Sequence, residues 1–313
     1  MDLWQLRIFC KVVEHKSFSH AARAIHLSQP TISSHIQALE QHFNCRLIDR
    51  LAKQALPTSA GDILYRYARR LLALRDETEA AMASHLGTVC GRLRIGASTI
   101  PGTYILPAII GEFTRQHPKV NVSLQIGDSR QIIEGVLNSD LQLGIVGVES
   151  RDRNTAQEKL LEDEMRLIVP ADHPWASRAR VSIADLSQAP FVAREQGSGT
   201  LAALQASLQQ AGSGLRQFNI VAEMGSTTAV IQGIKGGLGI SILSPIAVAE
   251  ELSRGALKAL SVEGLRLKRF FFLTRLRQRS LSPLGQTFGQ FLRTTLAAGS
   301  KRRQTLLEMN QPS

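Results

Sequence analysis

The sequence predicts a multidomain chain of α plus α/β class: a small helical N-terminal domain, a long connecting helix, and a C-terminal α/β region in two lobes. Three observations carry this. Two short, capped helical patterns lie close together between Ser17 and Gln41, one amphipathic pattern runs from Thr58 to His85 without a proline, and strand and helix patterns then alternate from Leu93 to Leu243. At 313 residues the chain can support two or three separate cores.

In the N-terminal part, Leu6, Phe9 and Val13 form an apolar helical stripe. The next two helices, Phe18 to Ile25 and Gln29 to Gln41, are separated only by His26, Leu27 and Ser28, so they must cross sharply. Ser17 and Ser28 stand at N-cap positions, and Pro30 fits the first turn because its missing N–H had no helical partner. The small pair Ala21-Ala22 permits close helix crossing. Ile32, Ile36, Leu39 and Phe43 face the core, while Gln29, Thr31, Ser33, Ser34, His35 and Gln37 offer short, hydrogen-bonding side chains suited to base edges in a major groove. A solvated surface helix would explain the polar face alone. The small pair, the short turn and the capped second helix together favour a helix-turn-helix that reads DNA.

With these features in place, the chain resembles the LysR-type bacterial transcriptional regulators. The resemblance rests on Leu6-Arg7-Ile8-Phe9, Ser17-Phe18 with Ala21-Ala22, the run Leu27-Ser28-Gln29-Pro30-Thr31-Ile32-Ser33, Leu39-Glu40, Leu47-Ile48-Asp49-Arg50 and Pro57-Thr58-Ser59-Ala60-Gly61. It implies a winged helix-turn-helix over residues 1–58, with Gln29, Pro30 and Ser33 at the base-facing end of the recognition helix. It also implies that Arg50 and Lys53 on the wing face phosphate or the minor groove. With Ser17, Ser28, Thr31, Ser34, His35 and Gln37, these are the candidate DNA-binding residues. The family commonly carries Arg directly after the serine, where this chain has Ser34 and then His35.

From Thr58 to His85, Leu64, Ala68, Leu71, Thr78, Met82 and, just beyond, Leu86 keep a three-four spacing, widened by Tyr67, Leu74 and Ala81. Such a stripe on a helix between domains favours coiled-coil-like pairing with a second copy of the chain over an ordinary core helix of the first domain, which would leave about three turns protruding. The resemblance implies the same linker helix over residues 59–91 and a homodimer or homotetramer on double-stranded promoter DNA, with RNA polymerase as a further partner.

The remainder alternates strand and helix: Leu93–Gly96, Tyr104–Gln116, Val120–Ile126, Ser129–Asn138 and Leu143–Val148, then Met165–Pro170, Phe191–Ala193, Thr200–Ala211, Phe218–Val221, Thr227–Lys235 and Ile240–Leu243. Alternation of this kind predicts doubly wound parallel sheets. The resemblance implies a type 2 periplasmic-binding-protein fold over residues 92–303, with one lobe from 92–164 and 265–300, the other from 165–264, and a tail from 304 to 313. Four segments fall where open α/β sheets hold ligands: Ala97 to Thr103, Gly127 to Ser129, Glu195 to Thr200 and Met224 to Thr228. Their hydroxyls and glycines suit a small polar, anionic effector. Thr103, Gly197, Ser198, Thr200, Ser226 and Thr227 are candidate contacts, and the resemblance adds Ser98, Thr99 and Ser129. Two stretches, IGASTIPGTYILP and AEMGSTTAVIQGIKGGLGISIL, are similar to a family subset often linked with selenium or sulfur metabolism.

The charge of +11 points toward nucleic acid less directly than it first suggests. Residues 1–89 hold 11 Lys/Arg against 8 Asp/Glu, whereas residues 254–303 hold 12 against 1. For Arg266, Lys268, Arg269, Arg275, Arg277, Arg279, Lys301, Arg302 and Arg303, a solvated basic surface competes with a second DNA contact. Cys10, Cys45 and Cys90 lack metal-ligand spacing, and apolar surroundings predict that Cys10 and Cys45 are buried thiols. No metal, cofactor or catalytic constellation is expected. Lys235-Gly236-Gly237-Leu238-Gly239 reads as a helix C-cap turn, not a phosphate loop. No apolar run approaches the roughly 20 residues of a membrane helix, and the start lacks a signal-peptide pattern, so a cytoplasmic chain is expected. A solute-binding protein of a transport system would share the two lobes. The N-terminal helices and the missing export pattern favour the regulator.

Overall fold

The computed structural model describes residues 1–49, 54–85 and 89–309, and the side chains of these except 80, 84–85 and 300–309. The described residues fall into two compact units, Met1–Gly91 with Asn138–Asp140, and Arg92–Leu137 with the segment from Leu141 onward.

In the first unit, α1 (Leu3–His15) begins at Asp2, whose carboxylate accepts from the Gln5 backbone N–H at 2.7 Å while the Gln5 side chain accepts from Asp2 N–H at 3.1 Å. α2 (Phe18–Ala24) and α3 (Gln29–Phe43) start at Ser17 and Ser28, whose hydroxyls accept from His20 and Thr31 N–H. Both caps therefore stand where the sequence places them. Ile8, Phe9, Val12, Ala21, Ala22, Ile32, Ile36 and Leu39 form one core. Phe43 is not part of it. It is exposed at the last residue of α3, where its ring meets that of His42 edge-on.

After α3 the chain forms a small antiparallel wing from β1 (Ile48–Asp49) and β2 (Leu56–Pro57). Glu40, a buried carboxylate, fixes its start by accepting from the Leu47 and Ile48 N–H groups at 2.9 and 3.3 Å. α4 (Ser59–His85) follows. Thr58 caps it, accepting from Gly61 N–H at 3.1 Å and donating to the Arg46 carbonyl at 2.7 Å. Gly61 is needed there, since a Cβ would lie 2.1 Å from the Leu47 carbonyl oxygen. Arg50 and Lys53 lie outside the described residues, as does Leu86.

The second unit runs β3 (Gly91–Ser98), a π-helical turn over Pro101–Ile105, α5 (Leu106–Gln116), β4 (Val120–Gly127), α6 (Ser129–Leu137) and β5 (Leu143–Val146). β6 (Thr155–Glu164), β7 (Arg166–Pro170), β8 (Arg180–Val181), α7 (Ile183–Gln188), β9 (Phe191–Arg194) and α8 (Gly199–Gln210) come next. The chain continues through β10 (Ile220–Met224), α9 (Thr227–Lys235), β11 (Ser241–Leu243), α10 (Ala249–Ser253), β12 (Leu257–Val262), β13 (Lys268–Leu276) and α11 (Pro283–Met309). One sheet has the order β4-β3-β5-β13-β6 and another β11-β7-β12-β8, with β10 pairing β9.

These sheets are mixed rather than purely parallel. β3 runs parallel to β5, but β13 is antiparallel to both β5 and β6, and β7 is antiparallel to β11 and β12. The sequence pattern passes over β6 because its polar residues give TAQEKLLEDE no apolar run, and the strand lies at the sheet edge. Phe218 also departs from its expected strand: it follows a 3-10 turn and packs edge-on against Phe191, and β10 begins two residues later. At the end of α9, Gly236 and Gly237 donate to the Gln232 and Ile234 carbonyls, the C-cap turn read from the sequence.

Cys10 is buried, and burial, reinforced by Glu14, pushes its thiol up to about 12. Cys45 is exposed, contrary to expectation, because Asn44 takes a left-handed conformation and turns the chain outward after α3. Replacing Glu40 by Ala should strand the Leu47 and Ile48 N–H groups and cost about 1–3 kcal/mol. Urea denaturation of the full chain measures that loss.

Candidate DNA and effector sites

The solvent face of α3 is narrower than the polar sequence suggests. Pro30, Ser34, Gln37 and Gln41 are exposed and, at 3.6 residues per turn, fall within about 60° of one another. Gln41 is absent from the sequence candidates, although the same helical spacing leads to it. Gln29 is exposed, but its side-chain oxygen accepts from Ser19 at 2.8 Å. Ser28 and Thr31 hydroxyls lie 2.8 Å apart in the cap, and Ser17 is engaged in capping α2. Ser33 and His35 are half-buried on the flanks.

α4 has two faces. Ala68 is buried with Leu6 and Cys10, and Leu64, Tyr65 and Leu72 pack around them, so Leu64 and Ala68 belong to the domain's own core rather than to an outward stripe. Ile63, Tyr67, Leu71, Leu74 and Met82 are 41–61% exposed. With Thr78 they occupy about 100° of the helix circumference. That face is apolar and exposed among the described residues, with the Arg70 guanidinium over the Tyr67 ring.

In the second unit, the loops after β3, β4 and β9 bring hydroxyls and two arginines together. Ser98, Thr99, Ile100, Asp128, Ser129, Arg194, Ser198, Gly199, Thr200, Arg269 and Phe271 line a small cleft. Its free volume is about 10 Å³, the room of a single water molecule. Arg194, at the end of β9, is buried. Its Nε and Nη2 donate to the two carboxylate oxygens of Glu195 at 2.7 and 2.8 Å, Nη1 donates to Thr227 at 2.6 Å, and Nη2 also reaches Thr99 at 3.3 Å.

Arg269, near the start of β13, is buried too. Nε donates to Asp163 at 2.8 Å and Nη1 to Thr200 at 3.2 Å, while Asp163 accepts from Ser244 at 2.6 Å. Burial lowers the Arg269 pKa, Asp163 opposes this, and the like charge of Arg194 adds to it. The Arg269 Nη2 and the Ser129 hydroxyl are buried without a protein hydrogen-bond partner. Both belong to the cleft, where a water molecule or a polar ligand would satisfy them. A Cβ on Gly199 would meet the Gly147 backbone and Ser129 hydroxyl at 3.1 Å, so glycine lets the α8 N-terminus close on the site.

Two family descriptions match this chain: "Bacterial regulatory helix-turn-helix protein, lysR family" over residues 3–62, and "LysR substrate binding domain" over residues 87–297. The chain belongs to the LysR family of transcriptional regulators. It is 32% identical to the RuBisCO operon transcriptional regulator of Allochromatium vinosum, covering 93% of this chain and 95% of that protein. It is 34% identical to the HTH-type transcriptional regulator CysL of Bacillus subtilis, over 84% of this chain and 87% of the relative. The Synechocystis PCC6803 CcmR regulatory domain, solved in complex with 2-PG, superposes with a TM-score of 0.61 at 30% identity, over 66% of this chain and 97% of that one. As a member of this family the chain is a DNA-binding regulator with an effector-binding domain, which sets aside the transport reading. No helix among the described residues is long and apolar enough to cross a membrane.

Of the effector residues expected in this LysR regulator, Ser98, Thr99, Ser129, Ser198 and Thr200 line the cleft, and Thr227 joins it through Arg194. Gly197 lies just behind, with positive φ and a Cβ position 3.1 Å from the Asp128 carboxylate. Thr103 is exposed on the π-helical turn and outside the cleft, and the Ser226 hydroxyl is taken up in capping α9. Sequence patterns do not single out Arg194 or Arg269 for the cleft. Arg194 carries no spacing signal, and Arg269 looks like one of a basic surface run. That run has other partners: Lys268 pairs with Glu162 at 2.9 Å, and Arg277 donates to the Arg153 and Thr155 carbonyls. Lys301, Arg302 and Arg303 have no described side chains. Replacing Asp163 by Ala leaves the Arg269 charge buried without its carboxylate and should destabilise the chain by about 3–5 kcal/mol. Thermal and urea unfolding of the full chain give that figure.

Proposed function

We propose that this LysR regulator binds promoter DNA as a homodimer or homotetramer and responds to a small anion held in the cleft between residues 92–164 with 265–300 and residues 165–264. The observation that carries the reading is the pair of buried guanidinium groups, Arg194 and Arg269, set among the hydroxyls of Ser98, Thr99, Ser129, Ser198 and Thr200. Buried cations with an unmet Nη2 and an unmet hydroxyl favour a carboxylate or phosphate over a neutral ligand. The 2-PG complex of the CcmR regulatory domain supports the same ligand class.

On the DNA side, the exposed part of α3 around Gln29, Pro30, Ser34 and Gln37 suits the major groove, with Ser33 and His35 at its flanks and Arg50 and Lys53 toward the backbone. Admitting the anion to a cleft that has room for a single water molecule moves the lobes, which changes the spacing of paired recognition helices and so the DNA bend or the contact with RNA polymerase. The regulator works in the cytoplasm by binding, without a catalytic step.

Titrating the full chain with 2-phosphoglycolate and with inorganic phosphate should raise its thermal stability, by about 2.7 kcal/mol at a hundred times Kd. Arg194→Gln should abolish the response, and the lack of any response in the unaltered chain would overturn the anion reading. Leu74→Asp, on the exposed face of α4, should leave the helical fold intact by circular dichroism. It should shift sedimentation to the monomer and weaken operator binding at least about a hundredfold, because two half-site contacts are no longer linked.

A further inference from the structure

The fork of Arg194 is already filled by a carboxylate from its own chain. Nε and Nη2 bind both oxygens of Glu195, the bidentate geometry in which guanidinium groups hold carboxylates and phosphates. We propose that Glu195 is a built-in occupant of the anion site, and that an effector carboxylate or phosphate binds by displacing it from Arg194. The inference rests on the anion reading given above.

Three observations support displacement rather than a fixed strut. Each cation of the cleft is already paired with a carboxylate, Glu195 on Arg194 and Asp163 on Arg269, and a third carboxylate, Asp128, lines the cleft, so no cation is left uncompensated for a ligand. An incoming anion therefore needs one carboxylate to withdraw. Of the three, only Glu195 is placed to do so. Asp163 is fixed by Arg269 and Ser244, and Asp128 caps α6, accepting from Gln131 N–H at 2.9 Å. The Glu195 side chain is 20% exposed while Arg194 is 3% exposed, so the carboxylate has a path to water that the guanidinium lacks.

The guanidinium does not depend on Glu195 alone for its position. Thr227 and Thr99 accept from Nη1 and Nη2, and both stay when Glu195 swings away. Meanwhile the internal carboxylate keeps a desolvated charge compensated in the ligand-free chain. The occupant also sets specificity: only a ligand that offers two coplanar oxygens to the fork, with charge enough to outcompete a tethered carboxylate, takes the site.

The test is isothermal titration of the full chain and of its Glu195→Gln variant with 2-phosphoglycolate and inorganic phosphate, alongside thermal unfolding without ligand. Loss of the competing carboxylate should tighten binding about tenfold or more, lower the ligand-free Tm, and enlarge the ligand-induced rise. Glu195→Asp, too short to span the fork while keeping the charge, should tighten binding less and serves if the Gln variant does not fold. Binding that is unchanged or weaker in these variants makes Glu195 a positioning residue and overturns the displacement, with the anion cleft left standing. No binding in either the unaltered chain or the variants overturns both readings.

Discussion

Two guanidinium groups, Arg194 at the end of β9 and Arg269 near the start of β13, sit nearly out of contact with water, and the surrounding structure is arranged around the cost of burying them. Each has a carboxylate at hydrogen-bond distance, and each has a threonine on one of its nitrogens. The compensation draws on distant parts of the chain. Asp163 comes from the end of β6, Ser244 from the residue after β11, and Thr99 from the loop after β3. These segments have to meet before the charges are satisfied, so the strand ends, the helix N-termini of α6, α8 and α9, and the cleft itself form one interdependent arrangement.

The mixed sheet meets that constraint at Arg269. β13 pairs with β5 on one side and β6 on the other, both antiparallel. This pairing places Arg269 opposite Asp163 in register. The long strand β6 has a polar edge face, and its partner β13 supplies Phe271, Phe272 and Leu273 to the interior. The Arg269 guanidinium lies 5.0 Å over the Phe271 ring, a cation–π contact that gives the buried charge a further favourable neighbour.

In the first unit the determining contacts are short in sequence, and for that reason the amino-acid pattern alone reveals them. Ser17 and Ser28 cap the helices they precede, Ala21 and Ala22 lie at their crossing, and Pro30 sits in the first turn. The apolar stripe on α4 is legible only in part. Leu71, Leu74 and Met82 face outward, but Ala68 and Leu64 turn inward against α1. Helical spacing alone cannot divide one apolar helix between two partners, since both faces obey the same period.

Local sequence is enough for the order of the two matched regions, the capped helix-turn-helix, the long helix α4 and the serine- and threonine-rich loops at the strand ends, because each depends on residues within a few positions of one another. Which hydroxyls converge, that Thr103 and Ser226 stay outside, and that Arg269 leaves its basic run to enter the cleft are settled in three dimensions alone. Asp163 and Arg269 are 106 residues apart. No local pattern records such a pairing, because the energy that selects it is the desolvation of a charge, which exists only once distant strands have closed around it.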